Sequence, residues 1–206
     1  MSNSSNVAKA MSPQYILDRR EAVPQIIGDH TDFLFVCGLA GTSKDIAALT
    51  NDADHAFTMA GVMGGAVSVG LGLALAQPHK RVLVATGDGE LLMNIGCLAT
   101  VAVMNPPNLS ILCVDNGHYG ETGYQKSHTS LGVDLMQMAV GAGIVRTRTV
   151  QDAEAIADGA SVLREGNGSS FVLMRVAPTD SKSIKRNMNG DACRVRFRKN
   201  LLDVNT

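Results

Sequence analysis

The strongest constraint in this sequence is a set of short runs that are apolar on both faces. Residues 32–37 (DFLFVC), 81–86 (RVLVAT), 109–114 (LSILCV) and 171–176 (FVLMRV) each hold about six residues with little alternation. A strand that is apolar at successive positions has both faces covered, which is the signature of a parallel sheet between helical layers. The intervening segments read as the crossovers such a sheet requires. Helical patterns span residues 12–27, 43–49, 61–76, 91–104, 135–142 and 152–164, and residues 144–148 form a further strand. Ser12-Pro13 reads as an N-cap and first-turn pair, and Asn105-Pro106-Pro107 closes the fourth helix. The expected fold class is α/β, a three-layer parallel sheet with helices on both faces. At 206 residues there is room for one such domain, expected over residues 1–178. Ligands of these sheets bind beyond the carboxyl ends of the strands, so the loops there carry the functional reading.

Several function classes fall away on composition. A net charge of −1 gives no reason to expect nucleic acid or an anionic membrane surface as partner. Cys37, Cys97, Cys113 and Cys193 include no C-x-x-C pair, so neither a zinc knuckle nor an iron–sulfur cluster is indicated. Three of the four lie in apolar runs and read as reduced, buried thiols. Residues 59–76 run for eighteen positions without a charge. Their five glycines, and the strand that follows Gln77-Pro78, favour a buried glycine-rich helix over a membrane span. The polar start of the chain has no apolar signal region, so a cytoplasmic location is expected.

Three loops leave strand ends with ligand-type residues. The second strand ends in Gly87-Asp88-Gly89, where two glycines allow a sharp turn and close approach while one carboxylate points outward. A helix follows, and its free N–H groups favour an anion. The third strand ends in Asp115-Asn116-Gly117-His118-Tyr119-Gly120-Glu121, supplying an amide oxygen and free carbonyls. The first ends in Gly38-Leu39-Ala40-Gly41-Thr42-Ser43, supplying hydroxyls and turn amides. Carboxylate, amide and carbonyl oxygens are hard ligands suited to Mg2+, which shares phosphate oxygens readily. Together the loops read as a metal-bridged diphosphate site.

The spacing makes this specific. Gly87-Asp88-Gly89, then 25 residues, then Asp115-Asn116 resembles the thiamine-diphosphate motif, in which Gly-Asp-Gly precedes Asn-Asn. The match runs from about Cys37 to Gly123. The run from Gly87 to Thr129 is most similar to the β-type subunit of sulfopyruvate decarboxylase and the matching half of phosphonopyruvate decarboxylase. The resemblance implies that Asp88, the Asn116 side chain and the His118 carbonyl bind Mg2+. It implies that Gly41, Thr42 and Ser43 contact the diphosphate, with Gly87, Gly89, Glu90, Tyr119 and Gly120 around it. The Gly61 carbonyl would accept from the cofactor's 4′-amino group, and Met63 would be the apolar wedge between its two rings. Glu121 and His118 are the candidate acid/base groups; His128 lies close enough to line the pocket, with a surface or structural role the favoured reading. Two departures stand out. Asp115 replaces the first Asn, and Glu90 puts a carboxylate where relatives carry Ser or Ala; Glu90 reads as a helix N-terminal residue turned from the phosphates.

The same resemblance implies what a chain of this size lacks. The glutamate that activates the cofactor's pyrimidine ring belongs to a separate pyrimidine-binding domain. A partner of the α type is therefore expected to supply it, in a hetero-oligomeric lyase acting on a small 2-oxo acid. An acetohydroxyacid-synthase-like carboligase subunit, or a non-catalytic cofactor-binding scaffold subunit, are the alternatives. A 2-oxo-acid:ferredoxin oxidoreductase subunit would bring clustered cysteines, absent here. Residues 179–206 read as a basic C-terminal tail, with seven Lys or Arg against one acid in 181–200. Within it Arg194-Val195-Arg196-Phe197-Arg198 alternates as a strand would.

Overall fold

The structure, a computed structural model, describes residues 14–59 and 61–203. In chain order the elements are α1 (Arg19–Ile27), β1 (Phe33–Cys37), α2 (Gly41–Thr50), β2 (Ala56–Thr58), α3 (Ala66–Ala76), β3 (Arg81–Gly87), α4 (Asp88–Leu92) and α5 (Cys97–Met104). They continue as β4 (Leu109–Asp115), β5 (His118–Tyr119), β6 (Gln125–Lys126), α6 (Leu135–Gly141), β7 (Arg146–Val150), α7 (Ile156–Arg164), β8 (Ser170–Arg175) and α8 (Gly190–Asp203). Six strands form one parallel sheet in the order β2-β1-β3-β4-β8-β7. The expected fold class is therefore what the chain adopts. The pair β5-β6 forms a small antiparallel ribbon beyond the end of β4.

Alternate residues of each strand serve opposite cores. Phe33, Phe35 and Cys37 face α1, α2 and α7, packing with Ile26, Ile46 and Leu163. Leu34 and Val36 face α3, α5 and α6, packing with Val67, Leu98 and Leu135. Apolar side chains are buried on both faces, which is why the strands read as apolar throughout. All four cysteines are free and buried; Cys37, Cys97 and Cys113 lie in the apolar runs that suggested it, and Cys193 is buried by α8.

The differences from expectation have local causes. The first helix starts at Arg19, capped by Asp18, whose side chain accepts from the Arg20 N–H; Ser12-Pro13 lies outside the described residues. The glycine-rich helix begins only at Ala66, because Gly61 and Gly64 take positive φ of 76° and 78°. The helix expected over 91–104 is two helices, α4 and α5, joined by a turn. An edge strand, β2, was not anticipated. Residues 194–198 are helical rather than extended: α8 turns Cys193, Phe197 and Leu201 inward at four-residue spacing. Phe197 meets Phe57 at 5.7 Å between ring centroids, and Arg196 pairs with Asp52 at 3.1 Å. Among the described residues no helix is long and apolar enough to cross a membrane.

Candidate functional site

The loops after β1, β3 and β4 meet at the carboxyl edge of the sheet around a cavity of about 310 Å³. Nearly every residue singled out from the sequence lines it. From the β1–α2 turn come Gly41 and Thr42, and Met63 stands on the opposite rim. From β3 and α4 come Gly87, Asp88, Gly89 and Glu90. From the segment after β4 come Asn116, His118, Tyr119, Gly120 and Glu121. Ser43 and Gly61 are not in the wall. Ser43 is buried and its hydroxyl donates to the Ala40 carbonyl at 3.2 Å; Thr42 donates likewise to the Leu39 carbonyl at 3.1 Å. What the turn presents to the cavity is therefore backbone. Ala40 holds a φ of 61° to make the turn, and no side chain caps the first N–H groups of α2.

Asp88 is 3% exposed, and two hydroxyls fix its orientation. Ser127 Oγ donates to Asp88 Oδ2, and Thr129 Oγ1 stands 3.2 Å from the same oxygen. Among the described residues no side-chain donor reaches Oδ1. Burial raises the Asp88 carboxyl above the usual range, opposed first by the Ser127 hydrogen bond. Asp115 turns away from the cavity into its own loop. Its Oδ1 accepts from the Gly117 N–H at 2.9 Å and from Thr129 Oγ1 at 2.7 Å. Desolvation, then the charge of Asp88, pushes its pKa up to about 6. Asp115 thus builds the turn, which accounts for the departure from Asn-Asn. Asn116 Oδ1 closes a second such turn, accepting from the His118 N–H at 3.1 Å.

Glu90 folds back beneath the loop. Its carboxylate accepts from Thr86 Oγ1 and from the Ala66 N–H at 3.4 Å, so it caps α3 as well as lying in the first turn of α4. Burial raises its pKa. Any side chain at position 38 would displace it, since a Cβ there would stand 1.8 Å from Glu90 Oε2. Gly89 has a similar neighbour: a Cβ would stand 2.3 Å from the Tyr119 ring, which packs on the bare backbone.

Glu121 and His118 sit on the outer rim. Glu121 is ion-paired with Lys44 at 2.9 Å, both half-exposed, and His118 Nδ1 lies 2.9 Å from the Asn116 carbonyl. His128, read as the more natural surface residue, is exposed and outside the cavity wall. The sequence reading missed Ser127 and Thr129, which β6 and the following turn return to Asp88. It also missed Arg19 and Lys44 in the wall. Thr179, Asp180 and Ser181, beyond β8, complete one side, where Asp180 accepts from Tyr124 OH at 2.5 Å.

Comparison with known proteins follows the same loops. The family model of the thiamine pyrophosphate enzymes, C-terminal TPP binding domain, matches residues 40–174. Sulfopyruvate decarboxylase subunit beta of Methanothermobacter thermautotrophicus is 40% identical over 137 residues, covering 66% of this chain and 72% of that protein. Phosphonopyruvate decarboxylase of Streptomyces viridochromogenes is 36% identical over 137 residues, covering 66% of this chain but only 34% of its own length. In fold, the chain resembles the thiamine diphosphate-dependent 4-hydroxybenzoylformate decarboxylase of Rhodococcus jostii RHA1. The TM-score is 0.62 at 20% identity, over 86% of this chain and 36% of that one.

Proposed function

The chain belongs to the thiamine pyrophosphate enzymes, through their C-terminal TPP-binding domain, and on that premise we propose that it is the diphosphate-holding subunit of a 2-oxo-acid decarboxylase. Its substrate would be of the sulfopyruvate or phosphonopyruvate kind. The observation that carries this reading is the convergence of three strand-end loops on one cavity, with Asp88 held rigid at its floor. Carboligation by the same subunit is the second reading, because it calls on the same cavity and differs in the second carbonyl that enters.

The residues fit the cofactor and a divalent metal. Asp88 Oδ1, the Asn116 side-chain oxygen and a carbonyl of the following loop offer a partial set of hard oxygens. Such a set suits Mg2+, which completes its octahedron with phosphate and water. Gly41 and the open N-terminus of α2, with Gly87 and Gly89, offer backbone N–H groups to the diphosphate. Met63, 37% exposed at the rim, is the apolar side chain against which the two rings would rest. When bound, thiamine diphosphate supplies an electron sink for the carbanion left as CO2 departs. This chain's part is to bind, orient and screen. Ser127 and Thr129 keep Asp88 from rotating, Tyr119 covers Gly89, and Glu121 or His118 stands at the rim where a proton is delivered.

The activating glutamate is proposed to come from a pyrimidine-domain partner in a hetero-oligomer. The beta-subunit name of the Methanothermobacter relative supports this. So does the outer face of α3, α5 and α6, which exposes Val69, Leu75, Val103, Met104, Met138 and Val140. Calorimetric titration of the chain with thiamine diphosphate and Mg2+ tests the core of the reading. Wild type is expected to bind, and Asp88→Ala to lose at least about 2 kcal/mol, some thirtyfold, through the metal. Equal binding by both proteins would remove Asp88 from the site.

A further inference from the structure

One residue of the cavity wall, Arg19, belongs to a charged pair that the proposed function leaves without a role. Arg19 opens α1 and Asp45 lies in α2, and their side chains are 5% and 4% exposed. Asp45 occupies one edge of the guanidinium: Nε lies 3.0 Å and Nη2 2.6 Å from Oδ2. That leaves Nη1. It has no protein partner among the described residues, yet Arg19 lines the cavity. The guanidinium also lies flat against the start of α2, because a Cβ at Gly41 would stand 2.6 Å from Nη1 and 2.5 Å from Nη2. The first N–H groups of that ten-residue helix are the ones without a side-chain cap. A buried, rigidly held donor edge and an open helix start thus face the same space.

The surroundings say what would fill it. The wall carries four carboxylates, Asp88, Glu90, Glu121 and Asp180, against two cations, Arg19 and Lys44. Lys44 is half-exposed and engaged by Glu121. Asp45 balances the charge of Arg19, so the pair contributes directed N–H groups rather than net charge. A planar guanidinium edge beside backbone N–H groups matches an oxyanion with several acceptor oxygens.

We propose that Arg19 Nη1, positioned by Asp45 and joined by the N-terminus of α2, is a subsite for a tetrahedral oxyanion, phosphoryl or sulfonyl. The inference rests on the reading that this cavity takes a diphosphate cofactor and an acidic 2-oxo acid. The oxyanion is then either the distal end of the cofactor or the acid group of the substrate, and the two are separable.

The test titrates the full-length chain with Mg2+ and pyrophosphate, and separately with methanesulfonate and methylphosphonate. Two variants are compared with wild type, each checked by thermal melting. Arg19→Met with Asp45→Leu removes the pair as a unit, which avoids stranding one buried charge. Arg19→Lys keeps a cation for Asp45 but has no second edge, and it serves if the double variant does not fold. Pyrophosphate binding at least about tenfold weaker in a folded variant, the loss of roughly 1.4 kcal/mol, places the cofactor's phosphate at Arg19. Weakening confined to methanesulfonate and methylphosphonate places the substrate's acid group there. Unchanged affinity for all three overturns the subsite and leaves the proposed function standing. A wild-type chain that binds neither thiamine diphosphate nor pyrophosphate overturns both.

Discussion

The two faces of the sheet are equally well packed inside and differ sharply outside. The helices on one face, α1, α2 and α7, expose no large apolar side chain among the described residues. On α7 the outer positions carry charges such as Asp158, which pairs with Arg148 at 2.6 Å. On the other face α3 has Ser68 as its sole polar residue, and α5 leaves Val103 83% exposed. A helix that is apolar all round belongs to a buried environment. Two-sided strands explain the interior, so the contrast lies in what each helix layer meets next. One layer meets water. The other stays apolar on its outside, and α8 covers only part of it, through Phe197 and Leu201. That open face begins at the rim of the cavity, where the Ala66 N–H of α3 binds Glu90. A subunit docking there would arrive beside the residues proposed to hold the cofactor.

The largest effects test whether the interiors are indeed alike. Phe35 is fully buried toward α1 and α2, and Phe171 fully buried toward α3 and α6. Truncating either to Ala is expected to cost about 3–5 kcal/mol in urea unfolding, through lost burial and the cavity left behind. A far smaller cost at Phe171 would mean that the open face is loosely packed all the way through. A smaller pair follows. Gly159 of α7 and Gly70 of α3 mark where each layer presses closest to the sheet. A Cβ would stand 2.6 Å from Val150 Cγ2 at the first and 2.1 Å from Val84 Cγ2 at the second. Ala at each is expected to destabilise by about 1–3 kcal/mol, since the neighbours are branched strand residues with little room to yield. Loss at one position only would show that the layers sit at different heights.

The inner half of this contrast was legible in the sequence, and of the outer half only α3 was, through the charge-free run of residues 59–76. Runs such as DFLFVC announce a two-sided strand because the information is local, and the motif spacing from Asp88 to Asn116 survives because each residue directly follows a strand of one sheet. Long-range partners leave no such trace. Ser127 and Thr129 reach Asp88 from about 40 positions away, and Arg19 meets Asp45 across 26. Alternation also misled: Arg194, Arg196 and Arg198 read as a strand, whereas Cys193, Phe197 and Leu201 carry the helical period that packing selects. The late start of α3 follows from Gly61 and Gly64, whose positive φ values a period-based reading cannot see.

The smallest expected effect discriminates best between a bare surface and a covered one. Gly72 lies mid-helix in α3 on the open face, and a Cβ there would meet nothing within 4 Å. In the chain alone, Gly72→Ala is expected to stabilise by about 0.5–1 kcal/mol, because Gly is the more costly residue to hold in a helix. The same substitution takes up space on the outside of an apolar layer. If a partner packs closely against α3, the added methyl sits in the contact, and assembly measured by sedimentation weakens while the melting temperature of the free chain rises. Opposite signs in the two measurements are the expected result. A gain in both would mean that α3 faces water in the assembled enzyme, and the comparison of the two faces would lose its functional meaning.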